Sequence, residues 1–456
     1  MTQPWLKAAL DYLPLWLEHQ MRVSEQPGCA IAVVHRGKLL YEGAFGHANQ
    51  ATGEKLTPRH RFRCASHSKT FTATGIMRLR EQGKLRLDDP VGRYVDGLHP
   101  QVAEATLAQL MSHGAGLTRD GEDSSQWQQR RPFLNEKELR AALAKPPILP
   151  DNSRFKYSNH AYGLLGLVIA TVTGRPYRDW IKAEVVDRVG LKETTPDMPA
   201  AKGGRLVAGH SSKFPLGERV VVPADDDTHA LSAATGFVAT AADLARFFNQ
   251  LDPVATKSVL SAASRREMVR RHRRNEHSSL ETHYGLGVAW GRVGDWRWFG
   301  HSGGFPSTIS RTATVVGQEL TISILTNSTV GWANQWSDGA IGIAQAFARH
   351  GAPTARTRPW SGRWWSLWGC ADLVPVKDKV LVAAPGLLHP FTDAAEIAVT
   401  GKDKGVIRQA NGYFAPGETA ALERDGKGRV RTVRLAGNRL LGERRWAAEM
   451  KRRYSG

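Results

Sequence analysis

Cysteine is scarce in this chain: Cys29, Cys64 and Cys370 are the only three in 456 residues. An odd count without paired spacing argues against a disulfide framework or a cysteine-based metal site and favours a reducing compartment. No apolar run reaches the roughly 18 residues that a membrane-crossing helix needs, so no membrane span is expected. The start, Met1-Thr2-Gln3-Pro4-Trp5-Leu6-Lys7, lacks a basic segment followed by a long apolar one, which predicts a cytoplasmic protein; a periplasmic one would require a leader already removed. The 16 histidines include no His-Glu-x-x-His pattern, so zinc catalysis has no support and no cofactor or metal is expected. There is no internal repeat or low-complexity tract.

Acidic residues are the minority charge, 43 Asp+Glu against 62 Lys+Arg, a formal net charge of +19. Such an excess suits anionic partners, but here it is spread along the chain. Its densest stretch, Arg265-Arg266-Glu267-Met268-Val269-Arg270-Arg271-His272-Arg273-Arg274, reads as the solvated face of a helix opened by a Ser264/Glu267 capping box. No zinc-finger spacing or aromatic-basic RNA motif accompanies it, so no nucleic-acid partner is expected.

What is present is the pattern of a large enzyme with an appendage. Trp5, Leu6, Ala9, Leu10, Leu13, Leu17 and Met21 recur at helical spacing, with Pro14 a point of kinking. Gly28 to Val34 is a continuous apolar run and reads as a buried strand; His35-Arg36-Gly37-Lys38 turns the chain into a second strand to Phe45. Ser66 to Gln82 reads as a helix stopped by Gly83. Residues 106–250 are mainly helical in pattern. Four strand-like runs follow, Tyr284 to Trp290, Asp295 to Gly300, Ile309 to Val316 and Leu320 to Asn327, then a helix from Ser337 to His350. Early strands, a helical middle and late strands predict an α+β fold in which the two ends share one antiparallel sheet flanked by helices, with a helical subdomain beside it. A Pro- and Arg-bearing stretch, Gly351 to Pro359, marks a boundary. The expected domains are 1–351, catalytic, and 352–456, small and β-rich. Trp360, Trp364, Trp365 and Trp368 open the second and are expected to dock it on the first.

Chemistry enters at Ser66-His67-Ser68-Lys69. A serine hydroxyl needs a base and a lysine needs a lowered pKa to be one; on a helix, positions i and i+3 share a face, so the Lys69 amine can reach the Ser66 hydroxyl. Alone, S-x-x-K is a weak signal, and Ser153-Arg154-Phe155-Lys156 matches it too, but there the preceding Pro150-Asp151-Asn152 reads as loop. Weight comes from ordered companions: Tyr157-Ser158-Asn159 at the start of a helix, and His301-Ser302-Gly303-Gly304 on a late strand.

With these boxes in order, the chain resembles the serine β-lactamase and penicillin-recognising family on its class C side, which includes D,D-peptidases, D-aminopeptidases and family VIII carboxylesterases. Flanking segments extend the resemblance over about residues 10–350: Pro27 to Val34, Leu87-Asp88-Asp89-Pro90-Val91, Leu110 to Leu117 and Thr240 to Phe247. It implies a β-lactamase/transpeptidase-like fold and a serine hydrolase acting through an acyl-enzyme on small esters, amides or peptides, either a carboxylesterase or a D-amino-acid-type peptidase or amidase. By position it implies Ser66 as nucleophile, Lys69 as base or proton relay, Tyr157 as the proton exchanger, and Asn159 orienting Lys69 and the substrate amide. His301, Gly303 and Gly304 would bind substrate, with the N–H groups of Ser66 and Gly304 as oxyanion hole. His301 departs from the family's usual lysine, which weakens the case for a β-lactamase.

Other readings compete. Gly300-His301-Ser302-Gly303-Gly304 also fits the G-x-S-x-G nucleophile elbow, but Pro306 to Thr312 reads as loop into strand, not the turn into a helix that an elbow needs. His113, beside Gly114, is expected to hydrogen-bond under the site, and Cys64 to be a small buried residue. A different class, a non-catalytic penicillin-binding-like sensor or peptide-binding scaffold, would keep the fold without turnover.

Overall fold

The computed structural model describes residues 3–150, 152–198, 205–214, 216–410 and 414–454; Asp151, named above in the run before Tyr157, lies outside them. Packing divides the chain into two compact units, Gln26–Ser337 and Met1–Glu25 with Asp338–Gly456.

In the first unit, β1 (Gly28–His35), β2 (Lys38–Asn49) and β3 (Glu54–Lys55) join β4 (Arg273–Arg274), β5 (His283–Tyr284), β6 (Ala289–Val293), β7 (Trp296–Phe305), β8 (Thr308–Val315) and β9 (Leu320–Thr326). The nine strands form one antiparallel sheet in the order β3-β2-β1-β9-β8-β7-β6-β5-β4. Early β1 pairs with late β9, from Cys29 opposite Thr326 to His35 opposite Leu320. Every residue of β1 is buried, which is why its sequence is a continuous apolar run and not an alternation. The helix Ala241–Asn249, capped by the Thr240 side chain, packs on β1 and β9. The helix Ser68–Glu81 carries eleven buried residues among its 14. It packs against the helix Asn159–Thr173.

The basic run is not one helix. The helix spans Ala262–Val269 with Ser261, not Ser264, as its cap. Arg270 takes extended dihedrals (φ −60°, ψ 144°), and Arg273–Arg274 become the edge strand β4.

The second unit holds an eight-stranded closed antiparallel barrel, β10 (Gly362–Ser366) through β17 (Asn438–Leu441), with Trp365 opposite Leu441 at the closure. Closure removes sheet edges. Trp360 and Trp364 fill the barrel's own core with Ile397, Ile407 and Val433, Trp365 lies against His19 of the first helix, and Trp368 stands 95% exposed. The first helix, Pro4–Val23, runs unbroken through Pro14 and belongs to this unit: the Tyr12 hydroxyl donates to Asp372 at 3.0 Å, and Gln20 donates to the Pro385 carbonyl at 2.7 Å. Arg363 completes the cluster with two 2.7 Å bonds to Asp372 and one of 3.0 Å to the Leu15 carbonyl.

Candidate active site

Ser66 sits in a single 3₁₀ turn, Ala65–His67, that feeds the central helix. Ala65 is forced left-handed (φ 47°), a conformation that disfavours any residue with a Cβ. The turn is pinned by the Ser68 hydroxyl, which donates to the Ala65 carbonyl at 2.6 Å and accepts the Phe237 N–H at 3.0 Å. Ser66 is half-buried while Lys69 is fully buried. The local fold thus presents the hydroxyl and hides the amine.

Three oxygens surround Lys69 Nζ: Asn159 Oδ1 at 2.6 Å, the Ala234 carbonyl at 2.9 Å and Ser66 Oγ at 3.3 Å. Burial strips water from the ammonium and drives its pKa well below the ordinary lysine value, outweighing the attraction of Asp120; Arg119 adds to the lowering. A neutral amine has two N–H bonds and one lone pair. The two shorter contacts are to acceptors that carry no proton, so they take the N–H bonds, and the lone pair is left facing the Ser66 hydroxyl. Tyr157 then completes the set, its hydroxyl donating to Ser66 Oγ at 2.7 Å.

Asn159 is oriented from its other side. Its Nδ2 donates to Asp120 Oδ1 at 2.6 Å, which fixes Oδ1 toward Lys69. Its backbone N–H donates to the Arg119 carbonyl at 2.9 Å, and the Ser158 side chain both caps the helix and donates to the Thr118 carbonyl at 2.6 Å. Asp120 is the functional neighbour that sequence reasoning missed: it lies in Leu117-Thr118-Arg119-Asp120-Gly121, where no periodicity or box singles it out.

Beneath Tyr157 lies a floor of rings. His113 is 4.2 Å from it, centroid to centroid, and accepts the Ser158 N–H at Nδ1 (3.1 Å). Its Nε2 has no partner among the described residues. Burial holds His113 neutral and pushes the Tyr157 phenol pKa up, so both are uncharged near neutral pH. His301, 4% exposed, places Nδ1 2.6 Å from the Ser302 carbonyl and Nε2 2.8 Å from the Tyr284 hydroxyl. A carbonyl only accepts, so Nδ1 carries the proton and Nε2 accepts from Tyr284. Burial first, then His67 and Lys69, lowers the His301 pKa well below the usual histidine value. Both ring nitrogens are therefore occupied by the protein itself.

Gly303 is required where it stands. A Cβ there would overlap the Cys64 carbonyl and lie 2.6 Å from Ser310 Oγ, so β7 can pass the Ser66 turn closely only as glycine. At Gly304 a Cβ would meet only Ile309 Cδ1, at 3.6 Å.

The competing nucleophiles fall elsewhere. Ser302 is inside β7, which turns through Pro306-Ser307 into β8 as a hairpin, with no helix following. Ser153 and Lys156 lie in irregular chain, and the Ser153 hydroxyl is spent on the Pro150 carbonyl at 2.6 Å. Cys64 is fully buried and its thiol is pushed up to about 12. Among the described residues, no group of three or more His, Cys, Asp or Glu side chains is arranged to hold a metal ion. Among the described residues, no helix is long and apolar enough to cross a membrane.

The Beta-lactamase family model matches residues 16–341, well over half of the chain, and the chain belongs to that family. It is 28% identical over 183 residues to Protein flp of Staphylococcus aureus (strain MW2), a match covering 39% of this chain and 36% of that protein, so the chain spans little more than a third of the flp length. It is 27% identical over 326 residues to Penicillin-binding protein 4 of Amycolatopsis lactamdurans, covering 67% of this chain and 81% of that protein. The octameric penicillin-binding protein homologue from Pyrococcus abyssi superposes with a TM-score of 0.67 at 21% identity, over 95% of this chain and 100% of that one. The D-amino acid amidase of Ochrobactrum anthropi SV3 complexed with D-phenylalanine gives 0.62 at 21% identity, over 74% and 99%. At these identities the structural likeness establishes the fold. Family membership supports serine-hydrolase chemistry in general.

Proposed function

We propose that the protein is a serine hydrolase that forms an acyl-enzyme on Ser66 and cleaves small esters or amide and peptide bonds. The observation that carries this reading is the buried Lys69 amine, whose Nζ lies 2.6 Å from Asn159 Oδ1, 2.9 Å from the Ala234 carbonyl and 3.3 Å from Ser66 Oγ. Ser66 Oγ attacks the carbonyl carbon as its proton passes to Lys69 Nζ. The oxyanion is met by the N–H groups of Ser66 and Gly304. The leaving group takes its proton from the Tyr157 hydroxyl, and Tyr157 regains one from Lys69. Water then repeats the sequence and releases the acid. Asp120 orients Asn159, which holds Lys69 in place, and His301, bonded to Tyr284, borders the substrate on β7 together with Gly303 and Gly304.

Carboxylesterase and D-amino-acid-type amidase or peptidase are the two substrate classes this site suits, and the D-amino acid amidase likeness favours the second. A β-lactamase is the lesser reading, because a neutral His301 offers no cation at the third box. We carry residues 1–351 as the catalytic domain and a cytoplasmic location as parts of the same proposal. A non-catalytic sensor is the alternative from another class. Turnover of p-nitrophenyl butyrate, set beside D- and L-aminoacyl amides and a chromogenic cephalosporin, separates them: Ser66→Ala and Lys69→Ala should both abolish it. A wild-type protein inactive on the whole panel would favour the sensor, and wild-type rates in both variants would contradict the mechanism.

A further inference from the structure

We propose that Arg119 is a specificity residue that selects substrates carrying a carboxylate, which deepens the function proposed above and rests on it. Its guanidinium carbon lies 5.6 Å from the centroid of the Tyr157 ring, the ring whose hydroxyl donates to Ser66. Two anchors fix its direction. The Arg119 carbonyl accepts the Asn159 N–H at 2.9 Å, and its Nε lies 3.0 Å from Asp120 Oδ2. Asp120 is buried and Arg119 is 66% exposed, so the pair points from the interior outward. With Nε turned in toward Asp120, the two terminal amino groups form a planar fork at the mouth of the site, suited to two parallel bonds to a carboxylate.

The surroundings make this charge matter. Lys69, His67, His113 and His301 are all basic by type, yet all are buried around Ser66, and burial shifts each of them toward its uncharged form. A substrate anion gains little from them, whereas the exposed Arg119 guanidinium stands within reach of solvent beside Tyr157.

Two matched ester pairs test the assignment: p-nitrophenyl hydrogen glutarate against p-nitrophenyl valerate, with the carboxylate on the acyl side, and 3-acetoxybenzoate against phenyl acetate, with it on the leaving group. The readout is the ratio of kcat/KM, anionic over neutral, which cancels any general loss of activity. In Arg119→Gln that ratio should fall at least about fivefold in one or both pairs, mainly through KM, with Arg119→Lys intermediate. A change smaller than about fivefold in both pairs overturns the proposal. Should Arg119→Gln fail to fold, the wild-type ratio should fall at least about threefold between roughly 20 mM and 0.5 M salt, and a flat ratio overturns it. Ser66→Ala run on the same esters reads the underlying mechanism separately: loss of turnover there with an unmoved ratio in Arg119→Gln sinks only the role of Arg119.

Discussion

Burial of the Lys69 nitrogen among three oxygens shifts it toward the neutral amine and away from the cation a lysine is in water. Its lone pair is available only when it has lost its proton, so kcat/KM should rise as pH climbs through the Lys69 pKa and level off well below the ordinary lysine range, near 10.4. A profile still rising at the ordinary lysine value would contradict a depressed pKa. Lys69→Arg keeps a nitrogen cation but cannot deprotonate, and should cost about 10²–10⁴-fold in kcat. Much of the site at this scale was legible: Ser66, Lys69, Tyr157 and Asn159 stand in boxes whose types and spacing carry chemistry. Asp120 and Tyr284 were not, because each acts by a contact across the fold, Asp120 on Asn159 and Tyr284 on His301. Nothing adjacent in the chain signals either.

At the scale of elements, the close passage of β7 over the Ser66 turn depends on two glycines that look equivalent in sequence and are not. Gly303→Ala must displace the Cys64 carbonyl and Ser310, both held in the core, and should destabilise the protein by roughly 1–3 kcal/mol with loss of activity. Gly304→Ala meets only a flexible isoleucine tip and should stay within about 0.5 kcal/mol of wild type. Urea unfolding of the two variants checks this, and equal effects would show that β7 does not approach the turn as described. The strands with long apolar runs, such as β1, were readable because two-sided burial leaves a continuous signature. Barrel strands such as Gly362–Ser366 and Lys404–Gln409 leave no such mark, since their Trp, Arg and Gly follow the barrel's own packing and not a clean alternation of apolar and polar residues. The basic segment misled for a related reason. Its composition favours a helix, but Arg270 leaves helical dihedrals so that the chain can join the sheet at β4.

Over the whole molecule, the first helix packs with a barrel more than 300 residues away, as the bond from Tyr12 to Asp372 records, and no local pattern could announce it. The interior of the larger unit has a second global property: it keeps His67, His113 and His301 neutral without carboxylate partners. The His67 pKa is lowered by burial to about 4, against roughly 6.5 unfolded. Its contribution to stability is therefore fully present above about pH 6.5 and lost as pH falls toward 4, at most roughly 3 kcal/mol for this one residue. His113 and His301 act in the same direction. The urea midpoint should fall between about pH 7 and pH 5, before most carboxylates titrate. A midpoint constant across that interval would mean these rings are charged or hydrated in the folded protein.

The most direct test of the central claim is covalent. Fluorophosphonate labelling of the intact protein, followed by peptide mapping, should place a single adduct on Ser66, with labelling and ester turnover lost together in Ser66→Ala. An adduct on Ser302 or Ser153, or undiminished turnover in Ser66→Ala, would contradict it.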